Sequence, residues 1–188
     1  MNRYSSLALT GCAVISLLGV TACGGEPAAP VPASVPATSA AVFGGTDLAW
    51  LEITIAMDEQ LLPLLDLAPT NSATPATKTL LSEVKALHEE ELTGLRALHT
   101  EAGLPAENQH KGMPMPGMVT PEQVAEAAPL KGAAFDTFVA AKLKAHFDQG
   151  VNLAGSEGKA GVEPRTKALA EKVISSRRTY LARLGEIS

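Results

Sequence analysis

Shifted by 89 positions, the second half of this chain falls on the first. Asp47 meets Asp136, Ala56 meets Ala145, Gln60 meets Gln149 and Leu64 meets Leu153; Leu80 meets Leu169, Val84 meets Val173, Leu92 meets Leu181 and Leu95 meets Leu184. Segments rich in Ala and Leu match often by accident, but here one shift serves two separate segments in each half. Each segment carries apolar residues at helical spacing, so the repeated unit is a pair of amphipathic helices. Two such hairpins related by an approximate dyad close into a four-helix bundle. The expected fold class is all-α.

Local signals place the helices. Thr46 or Asp47 is the expected cap of a first helix that reaches about Ala68 and stops at Pro69, with Leu51, Ile55, Leu62 and Leu65 inward and Asp58 in the same stripe. A second runs from about Ala76 to Ala102, ended by Gly103, with Leu80, Val84, Leu87 and Leu98 inward and Leu81, Leu92 and Leu95 widening the face. Thr120-Pro121 opens a short helix. The third long helix spans about Leu130 to Leu153, and Gly155, Gly158 and Gly161 are expected to break the chain before a fourth at about Glu163 to Ile187.

The N-terminus carries a different message. Residues 7–22 are uncharged and too short to span a bilayer, and they end in Val20-Thr21-Ala22-Cys23, which looks like a bacterial lipobox. This predicts a signal peptide at 1–22 and a lipidated Cys23. Residues 23–45 then form a Pro/Ala/Gly-rich tether, and 46–188 form the bundle, held at the cell envelope on the outer side of a membrane. An ordinary secretory signal cleaved elsewhere is the alternative.

Composition removes several functions. With 15 basic against 20 acidic side chains the net charge is −5, so no phosphate-binding footprint exists and nucleic acid is excluded as a partner. The only cysteines are Cys12 and Cys23, which leaves the folded part without a disulfide or a thiolate metal ligand. No nucleophile elbow or phosphate-cradling loop is present, and no convergent acid–base pair marks an enzyme.

The segment 47–187 resembles the ferritin-like bundle family known as domain of unknown function 305. The loop Met115-Pro116-Gly117-Met118 and the following Thr120–Val124 and Ala133–Phe138 segments carry the likeness. The resemblance implies a His-His-Gln motif on the first and third helices, an acid on the second and fourth, and association with copper or other metals. Here Met57 and Asp58 stand where the first pair of histidines would be, His146 matches half of the second, Glu91 fits the second-helix acid and Tyr180 replaces the fourth.

Two candidate sites follow. In the bundle, Asp58, His88, Glu91, His146, Arg177 and Tyr180 are expected to approach one another near the middle, as a metal site or as a closed ion-pair network. Arg177 favours the network, because it offers a bidentate partner to buried carboxylates and repels a cation. A dinuclear carboxylate centre is excluded: it needs two Glu-x-x-His pairs, and His88 and Glu91 supply one in reversed order. In the loop, His110, Met113, Met115 and Met118 fall within nine residues, and their thioethers and imidazole suit Cu(I) or Ag(I). Packing over the end of the bundle is the plainer role for those methionines. His99 is read as a helix-end charge and the Glu89–Glu91 run as mostly a solvated face. The leading expectation is a monomeric envelope protein that handles copper without catalysis, through the loop. The competing one is an interaction module that kept the bundle, lost the ligands and meets an unidentified envelope protein.

Overall fold

The computed structural model describes residues 41–187, so the signal segment, Cys23 and the tether up to residue 40 lie outside the described residues. Six helices and no strand occur among the described residues: α1 Gly45–Leu65, α2 Ala68–Asn71, α3 Pro75–Glu101, α4 Pro121–Ala127, α5 Ala133–Ala160 and α6 Pro164–Ile187. The chain is all-helical, as expected. Helix α1 packs on α3 and α5 on α6, and contact of α1 with α5 and of α3 with α6 joins the two hairpins. No helix among the described residues is long and apolar enough to cross a membrane.

The dyad is written into the hydrogen bonds. Asp47, in the first turn of α1, accepts the backbone N–H of Val162 at 3.1 and 3.2 Å, across the junction of α5 and α6. Asp136, in the first turn of α5, accepts the N–H of Ala73 at 3.1 Å, at the mouth of α3. Ala73 shifted by 89 positions is Val162, so each hairpin pins the turn of the other through the same atoms. Pro75 and Pro164, also 89 apart, open α3 and α6, where a missing N–H costs nothing. Thr77 N–H is capped by Thr74 Oγ1 at 3.1 Å, and Thr166 N–H by Glu163 Oε2 at 2.6 Å.

The interior has two apolar clusters. One gathers Leu61, Leu65, Leu81, Val84, Phe135, Val139, Leu143 and Phe147; the other gathers Trp50, Leu51, Ile55, Leu92, Leu95, Ala154 and Val173. Asp58 on α1, His88 on α3 and Arg177 on α6 fall at the register between them. Ala56, Met57 and Met118 form a small third cluster, with Met115 packed against it.

Several boundaries differ from expectation, each for a local reason. Helix α1 starts at Gly45 after Gly44, and Asp47 caps it from inside, accepting Gly44 N–H at 2.6 Å, rather than standing as the cap residue. It ends at Leu65 and tolerates Pro63; Pro69 sits in the first turn of the short helix α2 rather than stopping α1 at Ala68. Helix α5 starts at Ala133 after Gly132, whose φ is +60°, and runs through Gly155 and Gly158 to Ala160. A glycine costs only about 1 kcal/mol in a helix interior, and packing against α6 along the whole length overrides that. Gly161 does end the helix, turning to extended backbone, and a Cβ there would strike the carboxylate of buried Glu157. Phe43 already packs on the second apolar cluster.

Candidate metal centre

Four helices each deliver polar groups to one sealed point. Asp58 and His146 are 1 % exposed, His88 is fully buried and Arg177 is 1 % exposed, so the group is shielded from bulk solvent. His88 places its ring on the inward stripe of α3 and bonds Val84 O through Nδ1 at 2.7 Å. His146 bonds Gly117 O through Nδ1 at 3.2 Å. Both acceptors are carbonyls, so both Nδ1 atoms carry a proton, and in the neutral ring Nε2 is then the lone-pair nitrogen. Those two Nε2 atoms face each other at 3.1 Å. Asp58 Oδ1 stands 3.3 Å from His146 Nε2 and 3.8 Å from His88 Nε2. Three possible ligand atoms thus converge on one point. Such a point is satisfied by one positive centre, a proton or a metal ion, and Asp58, His88 and His146 form a group able to hold a metal.

Charge around the point is set by Arg177. Its Nη2 donates to Glu91 Oε1 at 2.8 Å and to Asp58 Oδ1 at 3.2 Å, while its guanidinium lies 5.6 Å from the centre of the Phe147 ring. Asp58 Oδ2 and the Nε and Nη1 atoms of Arg177 have no hydrogen-bond partner. Burial pushes the Asp58 carboxyl up to about 6 against the pull of Arg177. Burial and the neighbouring Asp58 charge push Glu91 up to about 8. Burial, then the charge of Arg177, holds His146 down at about 3 and His88 well below the usual imidazole range. Both shifts favour the neutral imidazole.

The crossover loop closes over this point. Gly117 has φ +76°, and a Cβ on it would lie 2.6 Å from Gln149 Cβ and 2.7 Å from Ala145 O. Only glycine lets the loop backbone approach α5 closely enough for its carbonyl to reach His146. The next residue, Met118, is 5 % exposed and packs with Met57. Met115 is half-buried beside them, Met113 is 47 % exposed, and half-buried His110 has an Nδ1 without a partner. The four loop residues thus stand in different surroundings, in two successive turns closed by Met113 N–H to His110 O and Met118 N–H to Met115 O, both 3.1 Å.

Of the bundle residues named from sequence, Asp58, His88, Glu91, His146 and Arg177 come together, while Tyr180 stays half-buried, its ring 6.2 Å from that of Phe147. Within the acidic run, Glu89 and Glu90 are exposed and Glu91 is buried. His99 lies in the last turn of α3. Sequence reasoning missed the Gly117 carbonyl and the Met57–Met118 pairing. The second is hinted at by Met57 standing 89 positions before His146.

A family model for the domain of unknown function DUF305 matches residues 47–188. The chain belongs to the DUF305 family. Solved structures agree on the fold. A DUF305 protein from Streptomyces coelicolor, described as a secreted-protein candidate, superposes with a TM-score of 0.68 at 15 % identity, covering 76 % of this chain and 91 % of that one. A DUF305 fragment from Deinococcus radiodurans gives 0.68 at 14 % identity, covering 77 % and 96 %. CopM in its Cu(I)-bound form gives 0.64 at 14 % identity, covering 76 % and 95 %. No curated protein matches the chain.

Proposed function

We propose that this DUF305 protein binds a monovalent soft cation, Cu(I), at Asp58, His88 and His146, and that it handles the ion without catalysis. The carrying observation is the pair of buried Nε2 atoms facing each other at 3.1 Å, each ring's Nδ1 being held by a backbone carbonyl. Imidazole suits copper, and the buried thioethers of Met57 and Met118 line the same part of the bundle as soft surroundings. The likeness to CopM in its Cu(I)-bound form supports the choice of metal. Exposed Met113 and half-buried Met115 on the loop that touches His146 offer an entry side for the ion. The lipobox-like Val20–Cys23 and the secreted-protein description of the Streptomyces coelicolor neighbour support a domain tethered outside the membrane.

An anaerobic titration with Cu(I) against a chromophoric Cu(I) chelator tests the reading. The wild-type protein is expected to hold one ion per chain, and the His88→Ala/His146→Ala variant none. Equal stoichiometry in the two proteins removes the bundle site, and if a Met113→Ala/Met115→Ala/Met118→Ala variant then loses the ion, the loop is the site.

One observation favours a second reading. Arg177 already satisfies one oxygen of both Asp58 and Glu91, which fits a structural or interaction module whose polar layer has replaced the metal. That module predicts no bound ion in either titration and an envelope protein recovered by crosslinking.

A further inference from the structure

Where the described chain enters the bundle, three buried carboxyl groups meet. Asp47 and Glu157 are fully buried and Glu163 is 2 % exposed. Donors divide them. Asp47 accepts the N–H groups of Gly44, Val162 and Glu163, and Glu163 accepts the N–H and hydroxyl of Thr166 and the Nε–H of Arg165. Neither oxygen of Glu157 receives a donor, although Asp47 lies against it. Two carboxylates side by side in one dry space do not both stay ionised, so the group without donors keeps the proton and donates it to Asp47. We propose that Asp47 and Glu157 form a proton-dependent latch that holds the start of α1 on the α5–α6 junction, and that loss of the shared proton opens this end of the bundle alone. The latch is independent of the cation-binding reading above.

The internal repeat shows that the fold does not need the second acid. Position 157 shifted back by 89 is Ala68, a buried member of the apolar interior, and at that end Asp136 still holds the N–H of Ala73 at 3.1 Å. One end of the bundle is thus tied by a lone aspartate, and the other by an aspartate paired with an acid. Space at the pair is tight: a Cβ on Gly161 would lie 2.0 Å from Glu157 Oε1, so an ionised Glu157 has no room for water on that side. The charges facing Glu157 are Asp47 from α1 and Glu163 and Lys167 from α6; the two acids oppose its ionisation and Lys167 favours it. Arg165 is engaged by Glu163 and Glu101, and Lys159 on α5 itself is exposed. Burial and Asp47 prevail and push Glu157 up to about 7, so the latch is closed at acid pH and released as pH rises past neutrality.

Amide hydrogen exchange of the full-length chain, read as protection factors at about pH 5 and about pH 8, tests the latch. The amides that bond Asp47, those of Gly44, Val162 and Glu163, should lose protection about fivefold between the two. Ala73 at the dyad-related end and Val84 in the middle should hold theirs. Glu157→Gln keeps the shape and a donor toward Asp47 but has no proton to lose, so its end amides should be equally protected at both values. Carbon-13 NMR of the Glu157 carboxyl in the wild type needs no variant, and it should titrate where the protection falls. End amides that follow Ala73 in the wild type overturn the latch, as does a loss that persists in Glu157→Gln. A loss shared by Val84 overturns it too, because the whole bundle is then opening. So does a Glu157 carboxyl that titrates in the usual glutamate range.

Discussion

Two buried polar nodes hold this bundle, and they solve the burial of charge in opposite ways. At the end where α1 begins, Asp47 is fully buried yet surrounded by donors: Gly44 N–H at 2.6 Å, Val162 N–H at 3.1 Å and Glu163 N–H at 3.1 Å. Burial pushes its carboxyl up, but a hydrogen bond with Glu157 and these backbone N–H groups outweigh that and hold it below the usual range. Buried Glu157 takes the complementary role: burial and its contact with Asp47 push it up to about 7. Both oxygens of Asp47 have backbone donors, while those of Glu157 beside it have none. In the middle of the bundle the balance is reversed. Two imidazole Nε2 atoms stand at Asp58 Oδ1, whose donor is Arg177 Nη2, and Asp58 Oδ2 has no hydrogen-bond partner. A carboxylate saturated by backbone donors serves the architecture, whereas a carboxylate facing two imidazole Nε2 atoms is a place for a cation.

The comparison breaks most visibly if Arg177 is removed. Arg177→Ala leaves two buried carboxylates sharing one space, and urea unfolding should show a loss of about 3–5 kcal/mol. A loss below about 1 kcal/mol would mean that the central node contributes little to the fold. Next in size is the contrast between dyad-related aspartates. Asp47→Ala strands several buried N–H groups and should cost about 2–3 kcal/mol, whereas Asp136→Ala, which frees one N–H near solvent, should cost about 0.5–1 kcal/mol. Equal costs would show that burial does not separate the two.

A glycine pair probes the loop above the centre. Gly117→Ala meets both a positive φ and the α5 backbone, while Gly112→Ala meets the positive φ alone with nothing within 4 Å. The first should lose about 2–3 kcal/mol and the second about 1 kcal/mol, and Gly117→Ala alone should weaken Cu(I) binding because His146 loses its carbonyl.

The smallest effect is a slope. Glu157 has a raised folded-state value, so between about pH 4.5 and 7 the folded chain keeps a proton that the unfolded chain has released. Stability contributed by this group is therefore present at low pH and falls as pH rises through 7. Relative to wild type, Glu157→Gln should match it near pH 4 and be more stable by about 1 kcal/mol at pH 8, solvent screening at the bundle end keeping the figure small. A constant difference across that range would deny that Glu157 and Asp47 share a proton.

The repeat made the fold legible. Residues at one shift, such as Val84 with Val173 and Leu95 with Leu184, are buried on matching faces, and the short helix after Thr120-Pro121 starts where its cap and proline put it. What the pattern could not carry is set by tertiary contact. Helix α5 passes Gly155 and Gly158 because α6 packs along it, and Pro69 opens α2 rather than ending α1, since Pro suits a first helical turn. At the centre, periodicity put Asp58, His88, Glu91, His146 and Arg177 on inward faces. The direction of each ring nitrogen depends on Val84 O and on a loop carbonyl at Gly117, which no spacing rule encodes.

Nitrogen-15 NMR of the histidine rings tests the central claim most directly. With His88 and His146 as described, both rings should show a protonated Nδ1 and an unprotonated Nε2 at neutral pH. One equivalent of Ag(I) or Cu(I) should then move both Nε2 signals together and leave the methyl signal of Met113 in place. Rings protonated at Nε2, or signals that stay fixed while the Met113 methyl moves, would contradict the account.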